Sequence, residues 1–457
     1  MNVPQQAFRQ YDIRGIVGDE LTPQLAHEVG RALATIIQRQ LTRPARIAVG
    51  RDNRPSGDLL ASAMRDGIAA AGATAVDVGM LPTPGLYFAA WQLESDGGVQ
   101  VTGSHNPPEF NGFKMITSDG AVYGEQIQEI KRMIDGGSAD SGVGQLEIES
   151  HVLRDYAEAI VERNGPLQRH VRVVVDCGNG VASLIAEHVL TRLGADVVPL
   201  FCESDGTFPN HHPDPTVMEN LVDLQETVRR SRAEIGIAFD GDGDRIGAVD
   251  ETGRVVFGDH LLILLGRDLA SRSGPGHSVI FDVKCSNVLH DELKKVGLEP
   301  VIWKTGHSLI KAKMKELNAP LAGEMSGHMF FGGDYLGFDD ALFAAARLLD
   351  FMAKQDGPLS ALTSDIPETF ATPELRVDCP DEQKFSIVER AAEHFSAMYE
   401  VLTLDGARVN FAEGWGLIRA SNTEPVIVMR FEASTQEQMQ RYRDEVEGWL
   451  RRQGVVV

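Results

Sequence analysis

Cysteine is scarce in this chain. Cys177, Cys202, Cys285 and Cys379 are the only four in 457 residues, and no two form a CxxC pair. That spacing argues against a disulfide framework or a zinc site and fits a reducing cytoplasm. Long apolar runs are missing as well. No stretch approaches the ~18 apolar residues that cross a bilayer, so no membrane partner is expected. The opening Met1-Asn2-Val3-Pro4-Gln5-Gln6 has neither a basic cluster nor an apolar run and does not read as a secretory signal. Positive charge is also in deficit: 43 Lys and Arg face 66 Asp and Glu, a formal charge of −23. No basic stripe is visible, which speaks against nucleic acid. An acidic chain repels an anionic ligand unless a few cations are focused in a cleft.

What is present is an ordinary globular composition, 43% hydrophobic and 24% charged. The length exceeds one core and points to about three or four domains of ~100–150 residues. A repeat supports this. Arg46–Gly50 reads as a strand, Arg51–Gly57 as a polar turn, Asp58–Ala71 as a helix stopped at Gly72, and Ala75–Val78 as a second strand. The same order recurs from Val171–Val175 to Val197–Leu200, and from Val279–Asp282 to Val301–Trp303. Strand, polar loop, helix, glycine and strand make a β-α-β grammar. Three copies predict three similar α/β domains; one large doubly wound sheet is the alternative. After about Asp365 the pattern changes to a strand at Thr372–Val377, a helix at Asp381–Ala397, further strands through Phe431, and a helix at Thr435–Arg451. This predicts a smaller α+β domain. The expected division is 1–148, 149–251, 252–365 and 366–457.

The chain is organised around Thr102-Gly103-Ser104-His105-Asn106-Pro107, which follows the strand-like Gly98–Val101. Proline cannot continue a strand and restrains its predecessor. Ser104 is therefore placed in a sharp turn beside an imidazole, a position that suits a nucleophile and equally an ordinary turn serine. Lys114, within Asn111-Gly112-Phe113-Lys114, could bind phosphate or move a proton.

Asp240-Gly241-Asp242-Gly243-Asp244-Arg245 is the strongest local signal. Three carboxylates converge where the glycines let the backbone curl, and like charges so close need a cation. Hard oxygen ligands suit Mg²⁺ or Ca²⁺. An EF-hand is disfavoured, because Arg245 stands where that loop needs glycine and a strand precedes it. With three carboxylates the ion needs another anionic ligand, such as a phosphate, and Arg245 suits the same group. Lys304-Thr305-Gly306-His307-Ser308 opens a helix and offers N–H groups to an anion. Gly323-Glu324-Met325-Ser326-Gly327-His328 collects groups suited to sugar hydroxyls and proton transfer. Arg419-Ala420-Ser421-Asn422-Thr423-Glu424-Pro425 gathers phosphate donors on a turn.

With these motifs in view, the chain resembles the α-D-phosphohexomutase superfamily, most closely its bacterial phosphomannomutase/phosphoglucomutase group. The likeness runs in order through YDIRG at Tyr11, TGSHNP, NGFK, DGDGDR, KTGHS, GEMSGH and RASNTEP. It implies three α/β domains of mixed sheets and a fourth, α+β domain like a TATA-binding-protein module, around a central cleft. It implies that Ser104 is the phosphoserine, with Asp240, Asp242, Asp244 and Ser104 holding one Mg²⁺. Arg245 and Lys114 would lie near the transferring phosphate, with His328, Lys114 and His105 as candidate acid and base. Arg14, near Tyr11, would hold the phosphate region. Glu324, Ser326 and His328 would meet the sugar. Arg419, Ser421, Asn422 and Thr423 would clamp the other phosphate, and Lys284 and His307 would line the cleft. Arg14, Lys114, Arg245, Lys284 and Arg419 together would make a positive cleft in an acidic protein.

The implied reaction interconverts hexose 1- and 6-phosphates of mannose or glucose through a 1,6-bisphosphate that reorients. Glucose or mannose 1,6-bisphosphate would serve as activator, sugar phosphates are the only expected partners, and the chain would be a monomer. Phosphoglucosamine mutase is the enzymatic alternative, with Met325 favouring the mannose/glucose group. A sugar-phosphate binding protein without turnover is the non-enzymatic one.

Overall fold

The structure, a computed structural model, describes residues 4–421 and 425–457. Among the described residues the strands form four separate sheets, so one large doubly wound sheet is excluded. In the first, the parallel strands Arg46–Arg51, Thr74–Met80 and Gly97–Val101 are flanked by Phe110–Thr117, antiparallel to Gly97–Val101. Gly97–Val101 is buried at every residue, as a strand covered on both faces should be. Helix Pro23–Leu41 begins as its sequence indicates. The Thr22 side chain accepts from the Leu25 N–H at 3.1 Å, and Pro23 occupies the first turn.

The second sheet sets Ile235–Phe239 parallel to Arg172–Asp176 and antiparallel to Ile246–Asp250. Phe239 pairs with Ile246, so Asp240–Arg245 is the connecting turn. In the third, Ser278–Asp282 lies between Glu299–Trp303 and Leu321–Gly323, both parallel to it. Gly323 pairs with Met329, which makes Glu324–His328 another hairpin turn. The Ser104, Asp240, Lys284 and Glu324 loops all leave carboxyl ends of strands, the side on which open α/β sheets place ligands.

The fourth sheet is antiparallel along its path. The single strand expected at Thr372–Val377 is instead two, Phe370–Ala371 and Leu375–Asp378, each paired with Val426–Ala433. Pro373 between them has no N–H to give the ladder. Thr372 bridges the break through its N–H to the Phe431 carbonyl at 2.9 Å and its Oγ1 to the Phe431 N–H at 3.1 Å.

Helix Ala341–Ala353 is buried along its whole length, the mark of an interior helix. It packs on helices Val152–Asn164, Ala186–Leu193 and Gly258–Ser273. One apolar core runs from Val78 and Leu86 through Tyr156 and Phe239 to Leu262, Phe281 and Phe343, joining the first three sheets. The fourth domain has its own core around Phe395 and Trp449. It grips the third through Arg408, which donates to the Cys285 carbonyl at 3.0 Å and to Asn287 Oδ1 at 2.7 Å while lying 3.8 Å over the Trp415 ring. Among the described residues no helix is long and apolar enough to cross a membrane.

Candidate active site

Ser104 sits at φ +50°, in the left-handed region, and is buried. Such a conformation costs a non-glycine residue about 1 kcal/mol or more and persists where neighbours enforce it. The enforcing groups are Asp52 and Arg54, a buried pair joined at 3.1 Å. One Arg54 guanidinium donates to the carbonyls of Ser104 at 2.7 Å, Asn106 at 2.5 Å, Pro107 at 2.5 Å and Phe110 at 2.9 Å. Asp52 Oδ2 accepts from Thr102 Oγ1 at 2.7 Å, and Thr102 Oγ1 accepts the Ser104 N–H at 2.8 Å. The Ser104 Oγ donates to Asp240 Oδ2 at 3.0 Å and lies 3.1 Å from His105 Nδ1. Burial, with the charges of Arg245, Arg14 and Lys114, pushes His105 well below the ordinary histidine range, so its imidazole is neutral beside the hydroxyl.

The second strand turn brings its carboxylates to the same place. Asp240, Asp242 and Asp244 are fully buried, with oxygens close enough together to ligate one cation. Gly243 adopts φ +74°, and a Cβ at Gly241 would lie 2.3 Å from the Ser104 carbonyl oxygen, so these glycines let the two loops meet. Lys114 Nζ bonds Asp242 Oδ2 at 2.7 Å and also Asp244 Oδ2. Burial opposes its charge, but the carboxylates outweigh burial and hold its pKa above the ordinary lysine value. Burial raises all three aspartates. In Asp240 it wins, aided by the charges of Asp244 and Asp242; in Asp242 and Asp244 Lys114 overcomes it. Thr83 Oγ1 adds a bond to Asp242 Oδ2 at 2.5 Å. Among the described residues, Asp242 Oδ1 is buried without a hydrogen-bond partner. A buried anionic oxygen left over after Lys114 is satisfied fits a hard divalent cation.

The third strand turn closes over this pair. His328 Nε2 lies 3.2 Å from Asp244 Oδ1 and 3.4 Å from Arg245 Nε, and its Nδ1 lies 3.0 Å from Glu324 Oε2 and 3.1 Å from Ser326 Oγ. Burial opposes protonation, but Asp244 and Glu324 raise its pKa to about 9. His307 stacks on it with ring centroids 5.8 Å apart. Burial and nearby Lys311 hold His307 well below the ordinary range. Glu324 Oε1 accepts the Gly306 N–H at 2.5 Å, tying the KTGHS turn to the GEMSGH turn. Tyr11 donates to the Thr305 carbonyl at 2.9 Å, which brings the YDIRG segment to the same turn.

The expected cations arrive, but not as a bare positive field. Arg14 bonds Asp12 at 2.6 Å and Asn106 Oδ1 at 2.7 Å. Lys284 bonds Glu374 of the fourth domain at 3.2 Å. Arg419 bonds Asp405 at 2.7 Å, and Asp405 also accepts the Thr305 N–H at 3.0 Å. With Lys114, four of the five expected cations are thus partnered by carboxylates. Ser421 is buried near Arg419, whereas Asn422 and Thr423 lie outside the described residues.

The chain matches the family models described as phosphoglucomutase/phosphomannomutase α/β/α domains I, II and III and C-terminal domain, over residues 5–140, 154–253, 257–370 and 374–448. The chain belongs to this family. It is 46% identical over 445 residues to the phosphomannomutase/phosphoglucomutase of Pseudomonas aeruginosa, covering 96% of this chain and 94% of that protein. It is 43% identical over 448 residues to the phosphoglucomutase of Neisseria gonorrhoeae, covering 97% and 96%. The crystal structure of a phosphoglucomutase/phosphomannomutase family protein from Burkholderia thailandensis superposes with a TM-score of 0.90 at 43% identity, covering 97% of each chain. The protein is a phosphohexomutase, an isomerase of carbohydrate metabolism that acts by phosphoryl transfer.

Sequence reasoning missed Asp52, Arg54, Thr83, Glu374 and Asp405. Only the Asp52–Arg54 spacing after a strand, in a polar turn of the repeat, could have drawn attention; the others have no local signature.

Proposed function

We propose that the mutase exchanges a phosphoryl group between Ser104 and glucose or mannose phosphates, through a 1,6-bisphosphate that turns around in the cleft. The observation that carries this reading is the buried Ser104 Oγ, bonded to Asp240 at 3.0 Å, beside Lys114 and His105. Asp240, Asp242, Asp244 and an oxygen on Ser104 would hold one Mg²⁺, which when bound would neutralise charge on the phosphoryl group. Lys114 and Arg245 would face the same charge, and such positioning, more than new covalent chemistry, is what phosphoryl transfer requires. His328, Lys114 and His105 would be the candidates to move a proton to or from the attacking hydroxyl. Arg14 would steady the phosphate region through Asn106.

Glu324, Ser326, His328, His307 and Tyr11 would receive the sugar. Lys284 would be released from Glu374, and Arg419 from Asp405, to take the phosphate that does not react, with Ser421, Asn422 and Thr423. Glucose or mannose 1,6-bisphosphate would restore a dephosphorylated Ser104. The working domain division is 1–148, 149–251, 252–365 and 366–457, and the reading includes a cytoplasmic monomer.

The experiment is turnover of glucose, mannose and glucosamine 1-phosphates with Mg²⁺ and a trace of glucose 1,6-bisphosphate. Comparable turnover of the first two supports this reading. Preference for the glucosamine ester moves the chain to phosphoglucosamine mutase.

A further inference from the structure

Two of the four cysteines, remote in sequence, meet beside the carboxylate turn. Cys177 follows strand Arg172–Asp176 and Cys202 follows the neighbouring parallel strand Asp196–Leu200. Their sulfurs lie 3.4 Å apart. Cys177 is fully buried and Cys202 is partly exposed. Cys202 Sγ also lies 3.3 Å from the Val175 carbonyl and 3.4 Å from that of Leu200.

The loop between Cys177 and Val181 is packed against the carboxylate turn. The Val181 N–H donates to the Gly241 carbonyl at 3.0 Å. A Cβ at Gly180 would lie 2.9 Å from that same oxygen. Gly241 in turn rests against the Ser104 carbonyl. The loop is tied on its other side, where the Asn179 carbonyl accepts from Asn53 Nδ2 at 2.7 Å, next to Arg54. Two sulfurs in a disulfide stand about 2.05 Å apart, so the bond would draw the two chain segments together, and the loop's ties to Gly241 and Asn53 would pass that movement to the carboxylate turn.

We propose that Cys177 and Cys202 form a reversible disulfide under hydrogen peroxide, and that this bond slows the mutase by displacing the 177–181 loop from the Asp240–Asp244 turn. Cys202 is the entry point because it is the one solvent reaches. The burial that raises Cys202 is outweighed by its hydrogen bond with Cys177, which lowers it overall, whereas that same bond and burial push Cys177 up. In the first step the Cys202 sulfur attacks one peroxide oxygen. The O–O bond breaks, a sulfenic acid forms, and water leaves with the thiol proton. In the second, the Cys177 sulfur attacks the sulfenic sulfur, the S–S bond forms, the S–O bond breaks, and a second water carries away the Cys177 proton. Two thiols lose two electrons in all and one peroxide gains them. A small dithiol reverses the step by exchange.

The test treats the full chain with hydrogen peroxide and reads two quantities separately. Mass spectrometry of the intact protein and of its peptides reports whether two hydrogens are lost and whether Cys177 is joined to Cys202. Mutase turnover reports the consequence. The expected result is the 177–202 cross-link, a fall in kcat of roughly tenfold to a hundredfold, and recovery with dithiothreitol. Cys202→Ser and Cys177→Ser proteins should each keep the untreated rate and resist peroxide; either alone suffices if the other folds poorly. No cross-link at peroxide doses that oxidise exposed thiols overturns the proposal. So does a cross-link that leaves kcat unchanged, or an equal loss of activity in the serine variants. The chemical readout does not depend on the phosphoserine assignment, so failure of the disulfide and failure of that assignment are told apart.

Discussion

Arg54 and Ser104 are fifty positions apart, and the Arg54 guanidinium donates to the Ser104 carbonyl at 2.7 Å. The same guanidinium takes three further carbonyls of the loop. A lysine keeps the charge but not the planar fork. Arg54→Lys should therefore lower kcat by roughly a hundredfold, the scale of a 1 Å misplacement, with a much smaller change in KM. Steady-state kinetics with glucose 1-phosphate reads the split, and added guanidinium should restore part of the rate. An unchanged kcat would remove Arg54 from the account.

Lys114 neutralises two buried aspartates at once. Replacing it with methionine leaves those carboxylates uncompensated, a loss of about 3–5 kcal/mol when no cation is added. Mg²⁺ should recover much of that loss, so the rise in Tm on adding Mg²⁺ should be larger for Lys114→Met than for the parent. Thermal unfolding with EDTA and with Mg²⁺ compares the two. Equal rises would mean that the ion and Lys114 do not share the same carboxylates.

Glu374 ties the fourth domain to Lys284 of the third. Lys284 brings its pKa down to about 2 from 4.5, against burial. A carboxylate depressed in the folded state adds stability that is present above its unfolded pKa and is lost as pH falls through the folded one. Glu374→Gln should cost about 1 kcal/mol at pH ~7, given its partial exposure. The difference from the parent should shrink as pH falls from about 4.5 towards 2. Denaturant melts across that range read it, and a difference that grows with acid would contradict the assignment. Because Lys284 is released, the same variant should also show a changed KM.

Much of this was legible in the sequence, for identifiable reasons. The β-α-β repeat appears because strands covered on both faces, such as Val173-Val174-Val175, are continuous apolar runs ended by glycine. The Ser104, Asp240 and Glu324 loops were recognisable because turn chemistry and convergent charge leave local patterns. Partners across domains leave none. Glu374 and Asp405 are ordinary acidic residues until the fold sets them against Lys284 and Arg419. For that reason the sequence suggested a positive cleft without showing the carboxylates that pair with its cations. The strand expected at Thr372–Val377 failed at Pro373, where a missing N–H outweighed the apolar alternation.

The central claim is that Ser104 carries the transferred phosphoryl group. The direct measurement is peptide mass spectrometry of the protein after incubation with glucose 1,6-bisphosphate and Mg²⁺, followed by glucose 1-phosphate, alongside turnover of Ser104→Ala. The account predicts one phosphoryl group on Ser104 that leaves when sugar monophosphate is added, and a variant without measurable turnover. Full turnover by Ser104→Ala, or a stable phosphoryl group on another residue, would contradict it.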